Sequence, residues 1–155
     1  MDPRVRKLVE GIVEHVDEAL SRLDGLTVEQ ANWRPVDGET NSCWVIAVHV
    51  VGASEEIVLK HFAGQDVDRD RDSEFIAVAA STDDFARLHE RWRALRPRLL
   101  DAIEHLPASR LDDTVEHPRR GKMTGYDMLA LGLVHAVSHA SEASLTRMLA
   151  VAGRH

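Results

Sequence analysis

Residues Met128 to Leu149 read MLALGLVHAVSHASEASLTRML, and this stretch decides the fold. It is apolar on most sides, which predicts a helix buried among other helices. His135 and His139 stand four residues apart within it, so both imidazoles lie on one helix face and reach one point in space. A metal site is therefore the first hypothesis. The pair alone is a weak signal, because the chain has nine histidines. The neighbouring residues must decide whether the two are metal ligands.

The composition is that of one soluble globular domain, residues 1–155. With 44% hydrophobic residues, 29% charged residues and five prolines, it argues against disorder. Many Leu, Ala, Glu and Arg residues beside few aromatics favour helices over strands. The N-terminal segment lacks a signal-peptide pattern, and no run reaches the ~18 apolar residues of a membrane span. We therefore expect a cytoplasmic protein without a membrane partner.

The net charge of −7 makes nucleic acid an unexpected partner, since phosphate binding needs clustered Lys and Arg. The basic stretch from Arg91 to Arg98 is interpreted as a solvated helix face, with an anion site as the alternative. Cys43 is the single cysteine and has no partner for an internal disulfide, which agrees with the cytoplasm. The expected partner is a small-molecule substrate.

Four amphipathic helices are predicted from apolar residues at spacings of three and four and from capping residues. Their predicted bounds are Asp2 to Gly25, Asn41 or Ser42 to Gly64, Ser81 to Leu106, and Thr124 onward. Pro97 should kink or split the third helix. The long connections, including Pro107 to Met123, are interpreted as irregular, and no strand is predicted. The fold class is therefore all-α, a four-helix bundle with long connections.

Two of the connections carry residues with a structural and a functional alternative. In Trp33-Arg34-Pro35, the structural interpretation is that the tryptophan plugs one end of the core and the proline fixes an extended turn. The functional alternative is that Arg34 holds a substrate carboxylate or phosphate. Residues 65–81 begin with a charged run, interpreted as a solvated loop. Phe75 and Ile76 then fold back as a plug or a lid over one end of the domain.

A third imidazole completes a candidate metal site. His49 lies among apolar residues of the second helix, where it must either form a hydrogen bond or ligate a metal. Helix bundles build metal sites from inward side chains of facing helices, so His49 is the best third donor beside His135 and His139. Three neutral imidazoles suit zinc or nickel and leave one coordination position free. His61 is about a third of a turn round from His49 and should not share this point.

Two carboxylates lie near these ligands along the sequence. Glu142 is three residues past His139, where it can orient an imidazole, accept a proton as the catalytic base, or pair with Arg147. Glu56 is seven residues past His49 and shares its helix face, so it is the second candidate base.

In their order and spacing these motifs resemble the DinB-like family of metal-binding four-helix bundles, which includes bacterial thiol-dependent transferases and isomerases. The resemblance rests on Trp33-Arg34-Pro35 and on the segments NSCWVIAVHVVGASEE, HPRRGKMT and LVHAVSHASEAS. It implies a mirror-type up-and-down chain path, a homodimer, and His49, His135 and His139 as ligands. From the last ligand onward many relatives read His-x-Gly-Gln, whereas this chain reads His139-Ala140-Ser141-Glu142, which adds a negative charge near the metal.

The resemblance further implies a divalent-metal enzyme that transfers a low-molecular-weight thiol, of the mycothiol or bacillithiol type, to an electrophile. Zinc is the expected ion and nickel the alternative. The physical basis is that the thiolate is the nucleophile and a cation lowers the pKa of a thiol. Three alternatives stay open: a metal-dependent hydrolase, a metal-binding stress-response module without turnover, and a bundle whose histidines are ordinary core and surface residues.

Overall fold

The computed structural model describes residues 2–153, which are mostly helical. The helices are α1 (Pro3–Ser21), α2 (Val28–Asn32), α3 (Cys43–Glu55), α4 (Arg71–Phe75), α5 (Thr82–Glu104) and α6 (Gly125–Ala152). The long helices α1, α3, α5 and α6 are the four predicted from the sequence, and the all-α fold class is confirmed. Within the described residues, none of the helices has the length and hydropathy of a membrane span.

The predicted helix starts are confirmed by their caps. The Asp2 side chain accepts the Arg4 N–H at the start of α1, and the Ser42 hydroxyl accepts the Val45 N–H at the start of α3. Both α5 and α6 begin in capping boxes, formed by Ser81 with Asp84 and by Thr124 with Asp127. Side-chain caps satisfy N–H groups that a helix cannot pair internally, which is why these short motifs predict its first residue well.

Two features of the backbone refine the prediction. α3 continues directly into a π-helical segment, Glu56–Phe62, a wider winding that is often found at functional sites. Pro97 lies inside α5, which is continuous from Thr82 to Glu104, so the proline does not split the helix. The side chain of Pro97 is exposed, on the side of α5 that faces water.

The connection between α5 and α6 corrects the prediction of an irregular segment without strands. After a 3-10 turn at Ala108–Leu111 it forms an antiparallel hairpin of β1 (Thr114–His117) and β2 (Gly121–Thr124), with Thr114 opposite Thr124. Each strand has four residues, and Val115 is the one fully buried residue of the pair. A strand this short shows too few alternating positions for its period to be visible in the sequence.

The core lies between α6, α1 and α3, with α5 covering α1 and α3. α3 is buried on nearly all sides. Gly132 sets the distance of α6 from its neighbours, because a Cβ there would lie 2.9 Å from Ile57 Cγ2 and 3.1 Å from Ile12 Cδ1. This close approach brings the next turn of α6, which carries His135, against α3.

Candidate metal centre

Three histidines from two helices converge on one point. His49 comes from α3, and His135 and His139 come from α6. One ring nitrogen from each lies within 4.8 Å of the others, and the Nε2 atoms of His49 and His135 are 3.1 Å apart. Around a tetrahedral zinc ion with Zn–N bonds of about 2.0–2.1 Å, ligand nitrogens are separated by about 3.3 Å. The separation of the His49 and His135 nitrogens is therefore close to that of two ligands of a single ion.

His49 is held from behind by a buried carboxylate. Its Nδ1 donates to Glu74 Oε2 at 2.8 Å, and both side chains are almost fully buried, 6% and 9% exposed. With the proton on Nδ1, the Nε2 lone pair points into the cluster, as metal-ligating histidines require. Sequence analysis did not identify Glu74, because it stands in a connection and no helical spacing relates it to His49.

Arg69 completes this buried network. It donates from Nε and Nη2 to the two oxygens of Glu74, at 2.7 Å each, and from Nη1 to Glu56 Oε2 at 2.6 Å. Burial alone would raise the pKa of Glu74, but the hydrogen bonds from His49 and Arg69 and the charge of Arg69 together lower it. The carboxylate is therefore ionised and tied in place by a bidentate guanidinium.

The connection before α5 folds back over the cluster, as predicted for Phe75. The Phe75 ring lies 4.6 Å from the His49 ring, and the Arg71 guanidinium lies over Phe75 at 4.5 Å. Ile76 is exposed and takes no part in this cover. Arg34 donates to the carbonyl oxygens of Phe75 and Thr40, at 2.9 Å each. Arg34 thus joins the backbone at Thr40 to the backbone at Phe75, a contact that the sequence did not predict, and its role in substrate binding stays a prediction.

His139 is held by a carboxylate of its own helix. Its Nδ1 donates to Glu142 Oε2 at 2.7 Å, and Asn41 donates to Glu142 Oε1 at 3.2 Å. The hydrogen bond from His139 is the main reason that the pKa of Glu142 is lowered. Arg147 instead donates to the carbonyls of Arg22 and Asp24. Of the three roles considered for Glu142, the geometry matches the orienting one, and its role as catalytic base stays a prediction.

The electrostatics favour neutral imidazoles. Burial lowers the pKa of His49 despite its hydrogen bond to Glu74. Burial, together with the neighbouring His139 and His49, lowers the pKa of His135 to about 3. Neutral imidazole is the form that binds a metal ion, so protons compete weakly at His49 and His135 near neutral pH.

A cavity of about 650 Å³ reaches the cluster at His49 and His135. The π-helical segment contributes Glu56, Ile57 and His61 to its wall, and the turn of the hairpin contributes the residues from His117 to Arg120. The His61 ring lies 6.1 Å from the His117 ring and outside the cluster, as expected. The other lining residues are Ala53, Arg69, Arg71 and Leu131.

Comparisons with known proteins agree with this architecture. A family model described as the DinB superfamily matches residues 12–143. A crystal structure of a conserved protein from Enterococcus faecalis is similar to this chain, with a TM-score of 0.64 and 18% identity over 98% of this chain and 99% of that one. No curated protein sequence matches significantly. Since the family model spans most of the chain and includes all three histidines, the protein belongs to the DinB superfamily.

Proposed function

We propose that this protein is a divalent-metal-dependent enzyme that transfers a low-molecular-weight thiol to an electrophilic small molecule. The observation that carries this proposal is the convergence of His49, His135 and His139 beside a cavity of about 650 Å³. Structural zinc sites are closed by four protein ligands, whereas catalytic sites keep a position open. Three imidazoles with a cavity next to two of them correspond to the second arrangement.

The donor set fits a borderline divalent ion, zinc first and nickel second. His49 and His139 each have the other ring nitrogen bound to a carboxylate, the usual support of a ligating histidine. When bound, such an ion would lower the pKa of a thiol so that it is a thiolate near neutral pH.

The surrounding residues of the chain hold and shield these ligands. Glu74 and Arg69 fix the ring of His49, and Phe75 packs against that ring and excludes water from one side. Glu142 is a positioning residue in this proposal, because both of its oxygens accept hydrogen bonds, from His139 and Asn41. Glu56 lines the cavity and is the carboxylate placed to accept a proton from an incoming thiol.

The test is metal analysis of untagged protein combined with a conjugation assay. We expect about one ion per chain in the wild type, as for a single three-histidine site, and loss of the ion in H135A/H139A. H105A is the matched control, since His105 is exposed and lies outside the cluster. Equal metal content in the wild type and H135A/H139A would contradict the proposal.

In the assay, mycothiol, bacillithiol and cysteine are each offered with a fluorogenic bimane electrophile. The proposal expects conjugation that falls to the uncatalysed rate with a chelator and recovers when metal is restored. Hydrolysis of an ester panel without any thiol would instead support the hydrolase. Metal binding without turnover in either assay would support a non-catalytic module.

We also propose that the protein forms a homodimer through α6. The exposed face of this helix carries Val134, Val137, Leu145, Met148 and Val151. The two charged residues in this part of α6 bind groups within the chain, so the stripe is uncharged and mostly apolar, with the exposed Ser138 and Ser141 between its apolar residues. A twofold axis can place such a stripe against its own copy, because an isologous interface uses the same patch twice.

Sedimentation analysis tests the dimer. We expect the wild type to sediment as a dimer and L145E as a monomer, because a charge at the centre of an apolar interface remains unpaired. V78E is the control, since Val78 is also exposed but lies between α4 and α5. A monomeric wild type at tens of micromolar would contradict this proposal.

A further inference from the structure

The wall of the cavity beside the cluster is cationic, although the protein is acidic overall. The chain has a net charge of −7, yet Arg69, Arg71, Arg119 and Arg120 all line this cavity. Arg69 is compensated by Glu74 and Glu56. Within residues 2–153, neither Arg119 nor Arg120 makes an ion pair. A concentration of positive charge against the overall balance points to a ligand of opposite sign.

Arg71 adds an unsatisfied donor to this wall. Its one carboxylate neighbour is Asp72 at 3.6 Å, which is 97% exposed. The Arg71 Nε atom is buried and has no hydrogen-bond partner. A buried donor without an acceptor is costly. Arg71 also lines the cavity, so its guanidinium is a third cation that a ligand there would meet.

The hairpin turn holds the other two arginines at the edge of the cavity. His117 Nδ1 accepts the backbone N–H groups of Arg119 and Arg120, at 3.1 and 3.2 Å. Gly121 follows with φ +72°, a conformation that side chains other than glycine rarely adopt. The turn is thus shaped by its own hydrogen bonds, and both guanidinium groups are carried next to the cavity rather than on a free loop.

We propose that this cavity is an anion subsite, and that the substrate or thiol co-substrate is a small carboxylated molecule. Its carboxylates would be held by Arg71, Arg119 and Arg120 while its reactive group reaches the three histidines. Guanidinium groups bind carboxylates bidentately, and about 650 Å³ is within the usual size of a small-molecule pocket. This inference rests on the proposed function, because it names the substrate class of the same site.

The experiment uses cobalt-loaded protein, in which a thiol that binds the ion is seen by its sulfur-to-cobalt absorption. Mercaptosuccinate, a thiol with two carboxylates, is compared with 1-thioglycerol, a neutral thiol of similar size. We expect mercaptosuccinate to bind at least about tenfold more tightly, the factor that one hydrogen bond to a charged group supplies. In R119Q/R120Q this preference should disappear while the affinity for 1-thioglycerol stays unchanged.

A matched control variant distinguishes the effect of the charge at the cavity from the effect of the net charge of the protein. R91Q/R93Q removes the same two charges from the exposed face of α5, and the preference for mercaptosuccinate should remain. R71Q should reduce the preference, because it removes the donor that lacks a partner. Equal affinity of the wild type for the two thiols, or an equal loss in R91Q/R93Q, would overturn the inference.

A second measurement distinguishes this inference from the proposed function. If neither thiol changes the cobalt spectrum, the thiol-binding function fails, and the anion subsite is then tested by itself in protein without added metal. Succinate and inorganic phosphate are titrated while the amide NMR signals of Arg119 and Arg120 are followed. A carboxylate site is supported if these signals shift saturably with succinate and more weakly with phosphate. The amide signals of a distant helix should not shift. Unchanged signals, or tighter binding of phosphate, contradict it.

Discussion

The two flanks of the histidine cluster use the same chemical device in different surroundings. On the α3 side, His49 is bound by Glu74, which comes from α4 and is itself held by Arg69. On the α6 side, His139 is bound by Glu142 of the same helix, with Asn41 as its second partner. The Glu74 side chain is 9% exposed and that of Glu142 is 36% exposed.

This difference in burial decides how much each carboxylate contributes to the stability of the fold. An ion pair removed from water leaves an uncompensated buried charge when one partner is lost, which is strongly destabilising. A pair that water reaches is screened and contributes little to stability. We therefore infer that the α3 flank sets both the stability and the ligand geometry, whereas the α6 flank mainly orients one ring.

The largest effect is expected for Glu74→Gln. The glutamine amide offers one acceptor oxygen, in place of two carboxylate oxygens, to the donors of His49 and Arg69. The variant should therefore lose about 3 kcal/mol of unfolding free energy. Its affinity for zinc should fall about 100-fold. Urea denaturation without metal and a competition titration with a chromogenic chelator measure the two quantities. E10Q, on the exposed surface of α1, should change neither, and an E74Q variant as stable as E10Q would refute the buried-network interpretation.

A smaller effect on the same flank is expected for Gly52→Ala. A Cβ at this position would clash with Glu74 Oε1 and lie 3.1 Å from Arg69 Nε, so the carboxylate must shift and its hydrogen bond to His49 is disturbed. Overpacking should cost about 2 kcal/mol, offset by up to about 1 kcal/mol of helix propensity. The net loss is read from urea denaturation, and the weakened zinc affinity from the same chelator titration.

The control for this variant is Gly11→Ala in α1. There the Cβ meets Leu133 Cδ1, the end of a flexible side chain, at 2.9 Å. G11A should keep the zinc affinity of the wild type. If G52A and G11A behaved alike, close packing behind Glu74 would not be what positions His49.

Glu142→Gln should have a weaker effect than either change on the α3 flank. Because the carboxylate is partly exposed, we expect a stability loss below about 1 kcal/mol. We expect about a tenfold loss in zinc affinity, since the ring of His139 loses its charged acceptor. If thiol conjugation fell far more than zinc affinity, Glu142 would act as the catalytic base rather than as a positioning residue.

The smallest effect expected near neutral pH concerns the reactivity of Cys43, whose thiol lies at the contact between α3 and α6. Burial raises the pKa of its thiol to about 11, and the thiol donates to the Ala143 carbonyl at 3.6 Å. At pH 8 only about one thiol in a thousand is ionised, so reaction with a disulfide reagent should be slow and should speed up in urea. Because the pKa is raised in the folded state, stability is unaffected near neutral pH and should fall as the pH rises from about 9 to 11.

Much of the helical frame could be predicted from local sequence. Asp2, Ser42, Ser81 and Thr124 cap helices through groups two or three residues away, so the starts are visible in short motifs. The hairpin at residues 114–124 was not predicted, because its strands are too short to show alternation. Glu74 was not predicted either, since it stands in a charged run that is indistinguishable from a solvated loop.

By itself, the sequence determined the pair His135 and His139 and the neighbouring Glu142, because a helix places residues three and four apart side by side. His49 required the further argument that a buried imidazole needs a partner, together with the family resemblance. Only the tertiary structure decided that Glu74 and Arg69 lie behind His49 and that the hairpin brings Arg119 and Arg120 to the cavity. These contacts arise where the chain returns on itself, and no local spacing encodes which residues then meet.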